Sequence, residues 1–391
     1  MKLFQRLLVA PAALGLMVPM AANASEQIND FTSNVDSIEQ SVDSLEAGVF
    51  SNQQTKLSGS TVFNVGGVDG GSGSNKSTDD EAVVFNYDTI INLDSSFSGS
   101  DLLRTTLRAS NFSDTDPFGS DIATQERGFT GSGDSVVVNR AFYQFPIGED
   151  FTATFGAMVR QDDILGVWPS DYPSDSILDV LTYAGANRAY PLTLGAGFGL
   201  SYLSDNERWS ATALTVTSNG HNAVDGALYT ENGDDVVTTQ LAYLGDRWRI
   251  ALARTWADAG EEWGFESNDQ YRAWGLSGVY QIDQGRRPSD DITLIPSSIS
   301  GGIGWSDVVD SDDSEDIEDS RTWTVGVVWT DAFSEGNDFG IALGTAEEHI
   351  NDRGYDDPLA WEIYYAMSIN DNITVTPAFF QVQKDDADDV N

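Results

Sequence analysis

From Lys56 to the end of the chain, apolar side chains return at every second position, and no feature limits the possible folds more. Between Arg321 and Thr330, Trp323, Val325, Val327 and Trp329 take one face, and Thr322, Thr324, Gly326, Val328 and Thr330 the other. Leu359, Trp361, Ile363, Tyr365, Met367 and Ile369 share a face in the same way. Val83, Phe85, Tyr87, Ile91, Leu93 and Phe97 oppose Asn86, Asp88, Asn92 and Asp94. Aromatics gather toward the ends of these stripes. No stretch beyond residue 24 approaches the roughly 18–20 apolar residues of a spanning helix. Two architectures remain: a soluble β protein, or a closed barrel whose apolar faces meet lipid.

The amino terminus narrows the choice. Lys2 and Arg6 precede an apolar run from Leu7 to Ala22, and Ala22-Asn23-Ala24 has the small-x-small pattern of a cleavage site. Residues 1–24 therefore read as a signal peptide, so the mature chain works outside the cytoplasm. The chain holds 20 basic and 62 acidic residues, a formal charge of −42. Removing the leader takes this to about −44.

Residues 25–54 are expected to form a helix. Ile28, Phe31, Val35, Ile38, Val42, Leu45 and Val49 step alternately by three and four, an a/d seam suited to a trimer without excluding a dimer. The alternative is a single amphipathic helix packed on its own domain. From 55 to 391 the pattern predicts fifteen antiparallel strands, the eleventh at 291–300. Short polar turns alternate with longer Gly/Asp/Ser-rich loops, as in a transmembrane meander. Bacterial barrels close with an even number of strands, so a sixteenth is expected and the chain is read as lacking it. The fold class is thus all-β, a transmembrane barrel after a short coiled coil.

Composition removes several chemistries. There is no cysteine, and His221 and His349 are the only histidines, so no disulfide, thiolate or multi-histidine metal site is expected. No cofactor is implied. Broad nucleic-acid binding does not suit so acidic a chain. A Ser/His hydrolase on a membrane face has no persuasive partners around either histidine, so an enzyme is not expected. The acidic run 307–319 lacks the glycine and spacing of a calcium loop.

The leader, MKLFQRLLVAPAALGLMVPMAANASE, resembles those of porins from marine picocyanobacteria. The stretch VDSIEQSVDSLEAGVFSNQQTKLSGSTVF resembles the coiled coil and first strand of cyanobacterial porins. These belong to the group related to carbohydrate-selective OprB-type porins, also labelled iron-uptake porins. The resemblance covers nearly the whole chain. It implies a homotrimer of sixteen-stranded barrels in the outer membrane, surrounded by lipid and passing small hydrophilic solutes such as carbohydrates or inorganic ions. Too few residues separate Ala24 from Ile28 for the S-layer-homology domain of many members, which leaves cell-wall anchoring without a basis in the sequence.

For such a channel the residues to seek are pore-lining charges. The long segment 161–191 carries Asp162, Asp163, Asp171, Asp175, Asp179 and Arg188 among apolar anchors. It folds either into the barrel as a constriction or onto the surface with its own small core. Arg104 and Arg108 share a face, Arg140 alternates with Tyr143, and Arg160 is expected on the face of Thr152, Thr154 and Met158, opposite Val159. An arginine facing lipid at the midplane costs roughly 2–4 kcal/mol, so these four are expected to face the lumen. With the loop acids they would set up a field across it. The competing reading is a secreted trimeric adhesin or lectin-like β protein, which would be soluble without detergent.

Overall fold

The computed structural model describes residues 55–68, 82–113, 118, 124–173, 177–223, 226, 228, 230, 233–259, 269–282, 295–310, 319–345, 349–350 and 359–383. The signal peptide, the heptad seam and Asp175 lie outside the described residues. No helix among the described residues is long and apolar enough to cross a membrane, which says nothing of strands.

The chain is an antiparallel meander. The first strands are β1 (Thr55–Gly66), β2 (Val84–Ser95), β3 (Leu102–Ser110), β4 (Val137–Ile147), β5 (Phe151–Arg160) and β6 (Leu194–Leu203). They are followed by β7 (Trp209–Thr217), β8 (Asp235–Leu244), β9 (Trp248–Ala259), β10 (Asp269–Gln281), β11 (Ser298–Asp310) and β12 (Asp319–Trp329). Each pairs with the next. β13 (Asp338–Thr345) and β14 (His349–Ile350) both pair with β12 and continue one line. β15 (Leu359–Asn370) pairs with β13. β16 (Ile373–Val375) and β17 (Ala378–Val382) pair with β15 in one frame, Met367 opposite Val375 and Ala360 opposite Val382. Pro377, which has no N–H to give a ladder, stands in the gap between them. The seventeen hydrogen-bonded segments thus form fifteen strand lengths among the described residues.

The bounds follow the period of two closely, except at the eleventh strand. It was expected at 291–300 and runs from Ser298 to Asp310. Its glycines weaken the strand signal, and they are needed where they stand. A Cβ on Gly302 would lie 1.9 Å from the Ala184 carbonyl oxygen.

The two faces of the sheet are inverted relative to a water-soluble protein. Phe85, Phe155, Phe198, Leu252, Trp256, Val325 and Trp361 are exposed, whereas Asn86, Asp88, Thr106, Thr154, Thr238, Thr255, Thr322 and Glu362 are buried. Water would penalise so much outward apolar surface, and acyl chains do not. Most turns at the other end from the long loops are tight, the exception being the connection of β10 to β11, residues 282–297. Between β2 and β3, Asp101 accepts hydrogen bonds from the Ser98 amide at 2.6 Å and the Phe97 amide at 2.9 Å, while Gly99 takes φ +89°. Hydrogen bonds from Ser98 and Tyr143 hold the Asp101 carboxyl well below the usual carboxylate range.

The sheet curls until its edges meet around one side chain. A Cβ on Gly66, in β1, would lie 3.0 Å from the Phe118 ring, and Phe118 packs edge-on against Phe380 of β17 at 6.3 Å. No ladder joins β1 to β17 among the described residues. The stretch between β3 and β4 covers that seam instead, with Asn64 donating to Gln125 at 2.8 Å and Arg127 to Ser60 at 3.3 Å.

The face expected for Val159 is corrected by a β-bulge. Phe142 pairs with Gly156, but by Val159 the frame against β6 has shifted by one residue. Val159, expected on the lipid side, is fully buried inside with Phe142, Ile164, Leu214 and Val216.

Candidate functional site

The segment 161–191 runs inside the barrel. It leaves β5 as one helical turn, α1 (Gln161–Ile164), which carries Asp162 and Asp163. From there it touches the inward face of strand after strand. The Gly166 amide donates to Thr212 of β7 at 3.0 Å, and Gln161 donates to Thr238 of β8 at 2.7 Å. Arg249 of β9 donates to the Trp168 carbonyl at 3.0 Å and is ion-paired with Asp171. The Asp171 amide donates to Ser300 of β11 at 2.8 Å. Thr322 of β12 donates to the Gly185 carbonyl at 2.9 Å. The far anchor is Glu362 of β15, buried, which accepts from the Tyr172 hydroxyl and from the Leu178 amide at 2.7 Å. A single segment reaches β7 and β15 together only if the sheet wraps around it.

Small inward side chains make the room. Ala186, Ala189 and Tyr190 of the segment pack on Val236, Ala253, Ala257, Tyr271 and Ala273 of β8 to β10. Tyr172, Leu178 and Leu181 pack on Val328, Ala342, Ala360 and Tyr364. The segment is therefore held by apolar footings as well as by hydrogen bonds.

The arginines on the opposite wall are each matched to a carboxylate. Arg104 grips Asp94 across β2 and β3 with two bonds of 2.8 Å. Arg108 pairs with the fully buried Asp88, which Arg127 also approaches at 3.5 Å, and lies over the Phe129 ring at 4.5 Å. Arg140 donates to Asp163 at 2.6 Å, and Arg160 to Asp162 at 2.7 and 2.6 Å. Burial pushes the Asp163 carboxyl up, though Arg140 opposes this. Burial also works against the Asp162 charge, but Arg160 overrides it and leaves that carboxyl below its ordinary range. Arg188 reaches β11 instead, donating to Ser306 at 3.0 Å. Of the expected site residues, Arg140, Arg160, Asp162 and Asp163 are brought together at the root of the segment. Arg104 and Arg108 form a separate ladder with acids of their own sheet, and Asp171 sits further along with Arg249.

The seam stretch and the inner segment meet in a short bridge. Gln125 pairs with Leu178, the Glu126 amide donates to the Ile177 carbonyl at 3.1 Å, and the Asp179 amide donates to the Thr124 carbonyl at 3.1 Å. Here the Glu126 carboxyl is pushed up to about 9 by burial, by its hydrogen bond with Asp179 and by the Asp179 charge, against the pull of Arg160. Tyr183 donates to Asp179 at 2.8 Å, and burial raises its hydroxyl.

Sequence reasoning missed Glu362, Arg249, Arg127 and Glu126. Glu362 carried a signal, being the one acid between apolar neighbours in LAWEIYYAM, on the face opposite the aromatic stripe. The other three depend on contacts more than 35 residues distant in sequence. No group of His, Cys, Asp and Glu suited to a metal ion occurs among the described residues.

No family model matches the chain. It is similar to the uncharacterized protein sll0772 of Synechocystis, 26% identical over 417 residues that span 98% of this chain and 74% of that one. A second relative is the uncharacterized protein alr4550 of Nostoc, 26% identical over 427 residues, 98% of this chain and 71% of that one. Among solved structures it is similar to OmpT, an outer membrane protein of Vibrio cholerae described in a trimer form, with TM-score 0.49 and 9% identity over 84% of this chain and 89% of that one. A Rhodopseudomonas blastica porin triple mutant gives TM-score 0.45 and 13% identity over 83% of this chain and 94% of that one.

Proposed function

We propose that this chain is an outer-membrane porin, a passive and non-enzymatic channel for small hydrophilic solutes. The observation that carries the reading is the inner segment 161–191, pinned to the inward faces of β7 to β15 by Gly166, Asp171, Tyr172, Leu178 and Gly185. It faces a wall that carries the Arg104–Asp94 and Arg108–Asp88 pairs. A polar interior narrowed by an anchored segment sorts solutes by size and charge, and needs no bond-making chemistry. Arg104, Arg108, Arg140, Arg160, Asp162, Asp163, Asp171 and Arg188 are the lining residues of this reading. The long loops face outward and the tight turns face the periplasm. The solute is a carbohydrate or an inorganic ion, in keeping with an OprB-type channel, and the protein works as a homotrimer.

Reconstitution in planar bilayers tests this. The expected record is stepwise conductance in groups of three. A detergent-stable trimer that passes no current would overturn it.

A further inference from the structure

On the outward face of β9 to β12, the aromatic row nearest the long loops alternates with arginine. In register, Trp274 lies opposite Arg254, Trp256 opposite Arg272, and Trp305 opposite Arg321. The Arg254 guanidinium sits 4.4 Å from the Trp274 ring centre and 5.1 Å from that of Trp256. Trp274 in turn stacks on Trp305 at 6.5 Å with 20° between planes. A guanidinium lying on an indole spends its face on the ring and keeps its N–H edge for an anion.

The placement is selective. The chain has only 20 basic residues against 62 acidic ones, yet three stand together on this wall. Deeper outward positions on the same strands are Leu252, Leu276, Ile303 and Val325. The aromatic row at the turn end, Trp248, Tyr280 and Trp329, has no arginine directly opposite it. Asp307 stands directly opposite Arg272 and its charge also acts on Arg254, but no ion pair joins the three arginines to a carboxylate among the described residues. At Arg254 the wall has a cavity of about 480 Å³, with Leu241 and Leu252 below and the guanidinium and Trp256 above. That is the layout of a lipid, an acyl chain under a charged head.

We propose that this patch binds the anionic headgroup of a lipid in the leaflet that meets the long loops, with Arg254 as its central ligand. The assignment rests on the reading of the barrel as membrane-embedded with those loops outward. Charge complementarity chooses the occupant: aromatic rims hold any lipid at the interface, but three cations among indoles discriminate for a negative head.

The test is native mass spectrometry of the detergent-solubilised protein with phosphatidylglycerol or phosphatidylcholine. The wild type should retain the anionic lipid in preference, on the order of tenfold. The triple variant Arg254→Gln, Arg272→Gln, Arg321→Gln should lose that preference with phosphatidylcholine retention unchanged. The matching triple Lys variant, which keeps the charge, should keep part of it. Equal retention of the two lipids by the wild type, or an unaltered preference in the Gln variant, overturns the proposal. Displacement by inorganic phosphate as readily as by lipid also overturns it, because the site would then be one for free anions. Bilayer conductance of the same preparations separates the two readings. A conducting wild type without lipid preference removes only the lipid site, whereas a non-conducting one removes the channel.

Discussion

Glu126 is the residue whose protonation most directly links two parts of the interior. Its carboxyl is held up to about 9, above the ordinary glutamate value of about 4.3, so the docked state prefers it neutral. The sign follows from linkage. The contribution of this group is complete below the ordinary glutamate range and is lost as the pH climbs toward 9. Hydrogen exchange of the Glu126 and Asp179 amides, which form the bridge between the seam stretch and the inner segment, should speed up across that interval beyond the intrinsic base dependence. Glu126→Gln should make the protection flat with pH. A flat profile in the wild type would show that the bridge does not feel this proton.

The inner segment is the element on which the interior depends, and Glu362 is its remotest anchor. Removing that carboxylate leaves the Leu178 amide buried without its acceptor, at a cost of about 1.5–3 kcal/mol. Glu362→Ala should expose residues 171–178 to limited proteolysis while the barrel stays intact, and an unchanged cleavage pattern would deny Glu362 that role. The strands themselves were legible because alternation is local: Trp323 and Thr324 declare their faces without reference to anything distant. The path of the segment was not. Whether 161–191 lay inside or outside turned on Gly302 yielding to Ala184 and on Ala253 and Ala273 leaving room for Ala189 and Tyr190. Small residues carry no periodic signal. The pairing of Arg104 with Asp94 was hidden for a similar reason, because cross-strand partners depend on register, and register is set by the whole sheet.

For the whole molecule the dominant quantity is a formal charge of −42. The arginines described inside are largely neutralised by their own aspartates, so the unbalanced field comes from the acids elsewhere. Such a field reaches about 10 Å at 0.1 M salt and about 3 Å at 1 M. The cation-over-anion permeability ratio of the reconstituted protein should therefore rise as the salt is lowered through that range. A ratio indifferent to salt would mean that these acids lie beyond reach of the conducting path. The same field would favour cations at the entrance without fixing what passes, which the proposed porin reading assigns to the paired charges further in.

The bulge in β5 has a consequence for how such a wall can diversify. One extra residue between Gly156 and Val159 acts as a phase slip: below it the greasy side looks outward, and above it a valine is lent to the interior. That gives the root of the inner segment a dry foothold in a surface that is otherwise wet. Deleting a residue there would return the valine to the lipid and take the foothold away, with every other strand left as it was.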